Sequence, residues 1–229
     1  MTASLARDTF IQSLVTSLKR ELYIETEDHI RFPSYDPLIL LHVWREGEEY
    51  VCGFSERLSG PSTDIWANSL TPIKQWLVMD NIDLLRWHLG LEQFGIRFRN
   101  LLVAPHWSHR PGTTEYSVEL RHNDEPTGIY AGKNSPEATT LTWFLNHSPE
   151  RLLEIAHIES TKEAYQALFG MATRPLRLSP RTHGSNTCRG KNWRHRPYPG
   201  LVPTYSEAAG ASRSHRLTAG TIRGRTLRG

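Results

Sequence analysis

Cysteine is scarce here: Cys52 and Cys188 are the only two in 229 residues. One widely separated pair supports neither a disulfide scaffold nor a cysteine-based zinc site, and such usage fits a reducing compartment. Long apolar runs are missing as well. Arg7, Asp8, Lys19 and Arg20 interrupt the first twenty residues, so neither a secretory leader nor a membrane span is expected. The short patterns of lipid attachment are lacking at both ends. So are the strongest catalytic signatures: no Gly-x-Ser-x-Gly elbow, no phosphate-cradling Gly-x-x-x-x-Gly-Lys loop, no helical His-Glu-x-x-His. These absences predict a soluble intracellular protein that is not an enzyme and uses no cofactor.

Acidic residues are almost absent from one region. From Arg174 to Gly229 there are eleven arginines and Lys191 against Glu207 alone, a net of +11. Residues 1 to 173 carry the remaining 15 basic and 23 acidic side chains, a net of −8, although the whole chain is only +3. Beyond position 173 the chain also loses apolar periodicity. Such a segment cannot bury enough surface to offset roughly 1 to 2 kcal/mol of backbone entropy per residue. The expectation is a folded domain over 1–172 and a disordered, arginine-rich tail over 173–229.

What is present before the boundary is enough for a core: 38% apolar residues and seven tryptophans in the whole chain. Phe10, Ile11, Leu14, Val15, Leu18 and Leu22 recur at spacings of three and four, which predicts a helix from about Ser4 to Tyr23. Pro33 and Pro37 forbid its continuation. Leu38 to Trp44 and Tyr50 to Phe54 flank a charged bend at Gly47 and predict a hairpin, with Cys52 as a small core residue. Thr71 as cap and Pro72 as first residue predict a second helix to Leu89, ended by Gly90 and apolar on two sides, hence buried between layers.

Ile96 to Phe98 running into Val103, Tyr116 to Leu120, and Ile129 to Ala131 read as strands, with 104–112 as a long connection. Helices return over 136–146, 149–159 and 161–169. Without regular βαβ alternation, the order predicts an α+β fold with a mostly antiparallel sheet packed by helices.

Three features carry candidate chemistry. In the tail, Arg189, Lys191, Trp193, Arg194 and Arg196 interleave guanidinium forks with an aromatic face, the chemistry of sequence-tolerant RNA contact. His106 and His109 lie near His122, Asp124 and Glu115, the ligand types of catalytic zinc, but Pro105 and Pro111 place them on a loop. No metal site is predicted from them, and a metal-dependent hydrolase would require their convergence in space. Third, Ser148-Pro149-Glu150-Arg151-Leu152-Leu153-Glu154-Ile155 has a hydroxyl N-cap, proline at the first helical position and a carboxylate in the first turn. Leucines and isoleucine follow the proline as in the opening of an F-box, with Ser148 standing where leucine is usual. In that reading Pro149, Leu152, Leu153 and Ile155 lay an apolar face into a partner groove. The bland alternative is a well-capped core helix.

With this motif, its length, its tryptophans and its basic end, the chain resembles the RNA-silencing suppressors encoded at the start of polerovirus and enamovirus genomes. The resemblance implies a plant-virus accessory protein in the host cytoplasm or nucleus. It would bind a Skp-type ubiquitin-ligase adaptor through the F-box-like helix and promote degradation of ARGONAUTE. The alternative class is an RNA-binding module whose tail contacts RNA while the domain presents it.

Overall fold

A computed structural model of the chain describes residues 4–56, 59–95, 101–132 and 136–170. They form an α+β fold: one antiparallel sheet of eight strands with five α-helices on one of its faces. In chain order these are α1 (Thr9–Ser17), β1 (Tyr23–Thr26), β2 (His29–Pro33), β3 (Ile39–Glu46), β4 (Glu49–Glu56), β5 (Ile65–Ala67), α2 (Leu70–His88), β6 (Trp107–Pro111), β7 (Ser117–His122), β8 (Glu125–Gly132), α3 (Pro136–Phe144), α4 (Pro149–His157) and α5 (Thr161–Phe169). The first five strands follow one another across the sheet. The chain then crosses through α2 to the far edge, and β6, β7 and β8 return inward until β8 pairs with β5, giving the order β1-β2-β3-β4-β5-β8-β7-β6.

Period-two alternation decides which face each strand buries. Ile30 and Phe32 of β2, Leu41 and Val43 of β3, Cys52 of β4, Ile65 and Ala67 of β5, Ile129 and Ala131 of β8, and Val118 and Leu120 of β7 all enter one core with the helices. The expected hairpin is β3 and β4, and Gly47 turns it at φ 62°. Helix α2 is buried on most of its surface between the sheet and α1, α3 and α4, as its two apolar stripes predict, and Gly90 follows its C-terminus at φ 71°. Lys74 on α2 pairs with Asp8 at 2.7 Å, and the same carboxylate accepts from Ile11 N to cap α1.

Arg86 on α2 is fully covered. It donates to the carbonyls of Glu92 (2.6 Å), Ala156 (3.1 Å), Ile158 (2.7 Å) and Glu159 (3.4 Å) and to Thr161 Oγ1 (3.3 Å), with Phe94 stacked beneath it. Those carbonyls include the loose C-terminal end of α4, which a helix leaves without internal partners.

The structure corrects several expectations. The first helix stops at Ser17, because Lys19 turns left-handed at φ 53°, and Tyr23 begins a strand instead of ending a helix. Strands β1, β2 and β5 were not anticipated. They are short, or exposed along their whole length as β1 is, so alternation has little room to show. Leu101 to Val103 is not a strand, and 104–112 is not one connection: β6 occupies Trp107–Pro111 and pairs with β7. Residues 96–98 and the tail from 173 lie outside the described residues. Helix α2 begins at Leu70, so Thr71 does not cap it.

Candidate functional site

No described helix packs on the second face of the sheet, and pairing aligns one row of side chains across it. His29 lies opposite Trp44, Trp44 opposite Val51, Val51 opposite Trp66, Trp66 opposite Tyr130, Tyr130 opposite Glu119, and Glu119 opposite Arg110. Seven strands contribute to it. Trp44, Trp66 and Tyr130 are half-buried, and none of them packs against the hydrophobic core. Trp66 and Tyr130 stack with ring centroids 5.3 Å apart and planes 10° from parallel, and His29 leans on Trp44 at 6.1 Å. A shallow recess of about 210 Å³ opens beside Tyr130 and Glu119, lined also by Pro111, Gly112 and Thr113.

Beside the row, on the same face of the sheet, runs a polar chain that starts from its member His29. His29 Nε2 and His42 Nδ1 share a hydrogen bond of 3.0 Å, and His42 Nε2 and Ser55 Oγ share one of 2.8 Å. The order of atoms is that of a serine–histidine relay, but both His42 and Ser55 are 5% exposed. Burial, reinforced by His29 and Arg31, pushes the His42 pKa down to about 4, too weak a base to activate a hydroxyl near neutrality. Next to Ser55, Gly53 lies under the backbone of Ser62, where any Cβ would strike the Ser62 carbonyl. Segment 62–64 is held there by Ser62 N donating to Phe54 O (2.6 Å) and Asp64 N to Cys52 O (3.0 Å). The relay is a buried neighbour of the row, joined to it through His29.

Helix α4 forms as its cap chemistry predicts, with Ser148 Oγ accepting from Arg151 N at 3.1 Å. Its four adaptor-contact candidates separate. Pro149, Leu152 and Ile155 are buried, with Leu152 and Ile155 fully in the core, while Leu153 is half-buried. Leu153 lines an open groove of about 690 Å³ between α1 and α4 with Thr9, Phe10, Ser13, Glu150, Glu154 and His157. The five RNA-contact candidates Arg189, Lys191, Trp193, Arg194 and Arg196 lie outside the described residues.

Of the histidine loop, His106 and His122 come together, with ring centroids 6.4 Å apart, while His109 on β6 pairs with Leu120. Among the described residues no three side chains of ligating type are grouped as a metal would require. Two carboxyls elsewhere are perturbed. Burial and then Glu137 raise the Asp64 pKa to about 6, and burial followed by Asp64 and Glu137 raises that of Asp80 to about 7. Asp80 is an exposed residue, so solvent screens much of that shift.

The sequence reading missed Trp44, Trp66 and Tyr130 as a site. Each is an ordinary alternating aromatic within its own strand, and only the pairing of β4 with β5 and of β5 with β8 joins them.

No protein-family model and no curated protein matches the chain. Among solved structures it is similar to Rv3902c from M. tuberculosis, at 14% sequence identity and a TM-score of 0.56, over 71% of this chain and 94% of that one. The likeness is one of fold.

Proposed function

We propose that this protein is a non-catalytic recognition module that docks another protein on the helix-free face of its sheet. The aromatic row carries the reading. Partly exposed Trp and Tyr side chains outside the core, in a row that ends on Arg110, have the composition of an interface centre. The net charge of −8 over residues 1 to 173 favours a basic partner and a salt-sensitive association rate.

Silencing suppression, which the viral resemblance implies, would then be exerted by holding a host protein such as ARGONAUTE on the sheet. Skp-adaptor docking by α4 would have Leu153 alone at the surface and would require α4 to leave the body before Leu152 and Ile155 could take part. A second reading, RNA contact by the tail, is favoured by the +11 charge beyond position 173.

The test compares proteins co-purified with the wild type, Trp66→Ala and Leu153→Ala, with folding checked by circular dichroism. The expected result is a partner retained by the wild type and by Leu153→Ala but bound at least about 30-fold more weakly by Trp66→Ala. If folded Trp66→Ala keeps every partner at wild-type level, the sheet face is not the docking surface. RNA binding by a chain ending at residue 172, with undiminished affinity and salt dependence, would remove the tail reading.

A further inference from the structure

We propose that the His29–His42–Ser55 chain is an acid-operated latch, which holds the His29 and Trp44 end of the aromatic row in place at neutral pH and lets it go on acidification. His29 Nε2 and His42 Nδ1 face each other at 3.0 Å, so one must donate and the other accept. With both rings neutral this is satisfied, and His42 Nε2 still has Ser55 Oγ at 2.8 Å. One added proton can be accommodated by the same bonds. A second cannot, because both facing nitrogens would then be donors and both rings would be charged.

The groups around the pair oppose charging on balance. Arg31 on β2 lies directly across from His42. Its charge is partly offset by Glu25 on β1, which pairs with it at 2.6 Å and favours a proton on His29. Tyr23 on β1 covers the Arg31 guanidinium, centroid 5.8 Å away, and Trp44 on β3 flanks His29. Ser55 is the contact from β4. Burial lowers the pKa of His29 as well as that of His42, in line with this arrangement.

The margin that must move is lightly held. β1 is exposed along its whole length, and its pairing to β2 is broken by an irregularity between Ile24 and Thr26. A local opening of β1 and the start of β2 therefore leaves the core residues Ile30 and Phe32 in place. Separation of the rings removes the support against which Trp44 rests and shortens the ordered row at that end. That acid weakens docking rests on the function proposed above; the latch itself does not.

The experiment follows the indole N–H resonances of Trp44 and Trp66 and the imidazole resonances of His29 and His42 by NMR, from about pH 7.5 to about pH 4. In the wild type, Trp44 is expected to shift in step with the second of the two imidazole protonations, the one the shared bond cannot accommodate, while Trp66 stays within the noise. In His42→Asn the Trp44 shift is expected to lose at least half its amplitude. His29→Gln, at a half-exposed position that tolerates substitution, is expected to do the same, which keeps the test open if His42→Asn does not fold. An invariant Trp44 while both histidines titrate would overturn the latch. So would a single transition in which Trp44, Trp66 and the far-ultraviolet dichroism change together, since that is global acid unfolding. A Trp44 response without any pH dependence of partner binding would sustain the latch and tell against the docking face.

Discussion

Replacing Arg86 by methionine tests whether one buried guanidinium ties the helical layer together. The side chain has no exposed surface, and its five donor contacts reach the 91–95 segment, the C-terminal carbonyls of α4 and the start of α5. Methionine keeps much of the volume but leaves the carbonyls of Glu92, Ala156, Ile158 and Glu159 facing a thioether. Hydrogen bonds to a charged donor contribute about 1.5 to 3 kcal/mol each, but bonds that share one guanidinium do not add. Breaking a buried ionic network by removing one member costs about 3 to 5 kcal/mol. No carboxylate pairs with Arg86 within ion-pair distance among the described residues, so the variant leaves no stranded counter-charge, and Glu92 and Glu159 are exposed residues whose freed carbonyls water can reach. The lower end applies: a loss of about 3 kcal/mol, or a fall of about 10 °C in Tm. Arg86→Lys keeps the charge but not the fork, and about half that loss is expected. Urea unfolding followed by circular dichroism measures both. A methionine variant within about 0.5 kcal/mol of the wild type would show that the carbonyls find other partners and that the network does not hold α4 and α5 to α2.

Two further outcomes follow from burial and charge. Leu152→Ala should cost about 2 to 4 kcal/mol and Leu153→Ala less than about 1 kcal/mol, because the first side chain is enclosed and the second lines an open groove; equal costs would contradict this placement of α4. Asp80 has a folded-state pKa raised to about 7, so its contribution is fully present below the unfolded carboxyl value and is lost as pH rises through about 7; Asp80→Asn should therefore gain stability relative to the wild type between about pH 5 and pH 8, by about 1 kcal/mol after screening. Urea midpoints at the two pH values decide it, and a pH-independent difference would refute the raised carboxyl.

The parts of the fold that were legible in the sequence are those whose signal is local. Helix α4 announces itself by its serine cap, α2 and α5 by apolar spacing and the glycine at their ends, and the hairpin of β3 and β4 by the glycine at its turn. The first helix was read too long because Leu18 and Leu22 continue its apolar spacing, while the left-handed Lys19 that ends it carries no such signal. Arg86 looks in sequence like any charged residue near a helix end, where a cation suits the dipole. Its value comes from carbonyls about seventy positions away. The aromatic row was least legible of all, since it depends on β8 lying beside β5 with α2, β6 and β7 between them in the chain.

The same reasoning separates the two surfaces offered for docking. Consecutive residues on a helix point about 100° apart, so Leu152 and Leu153 cannot both face the same layer. Once Leu152 and Ile155 occupy the core, Leu153 is directed to the margin by helical geometry, and its partial exposure is what a packed helix requires. On a sheet the argument runs the other way. Trp44 and Trp66 alternate with Val43, Ile65 and Ala67, which fill the core, so on the opposite face they pack only on their own row, against the buried Val51 and the ring of Tyr130. An apolar side chain at the edge of a core helix is explained by the fold. Three large aromatics aligned on the helix-free side of a sheet have no helix to pack against, and the partner proposed above would cover them.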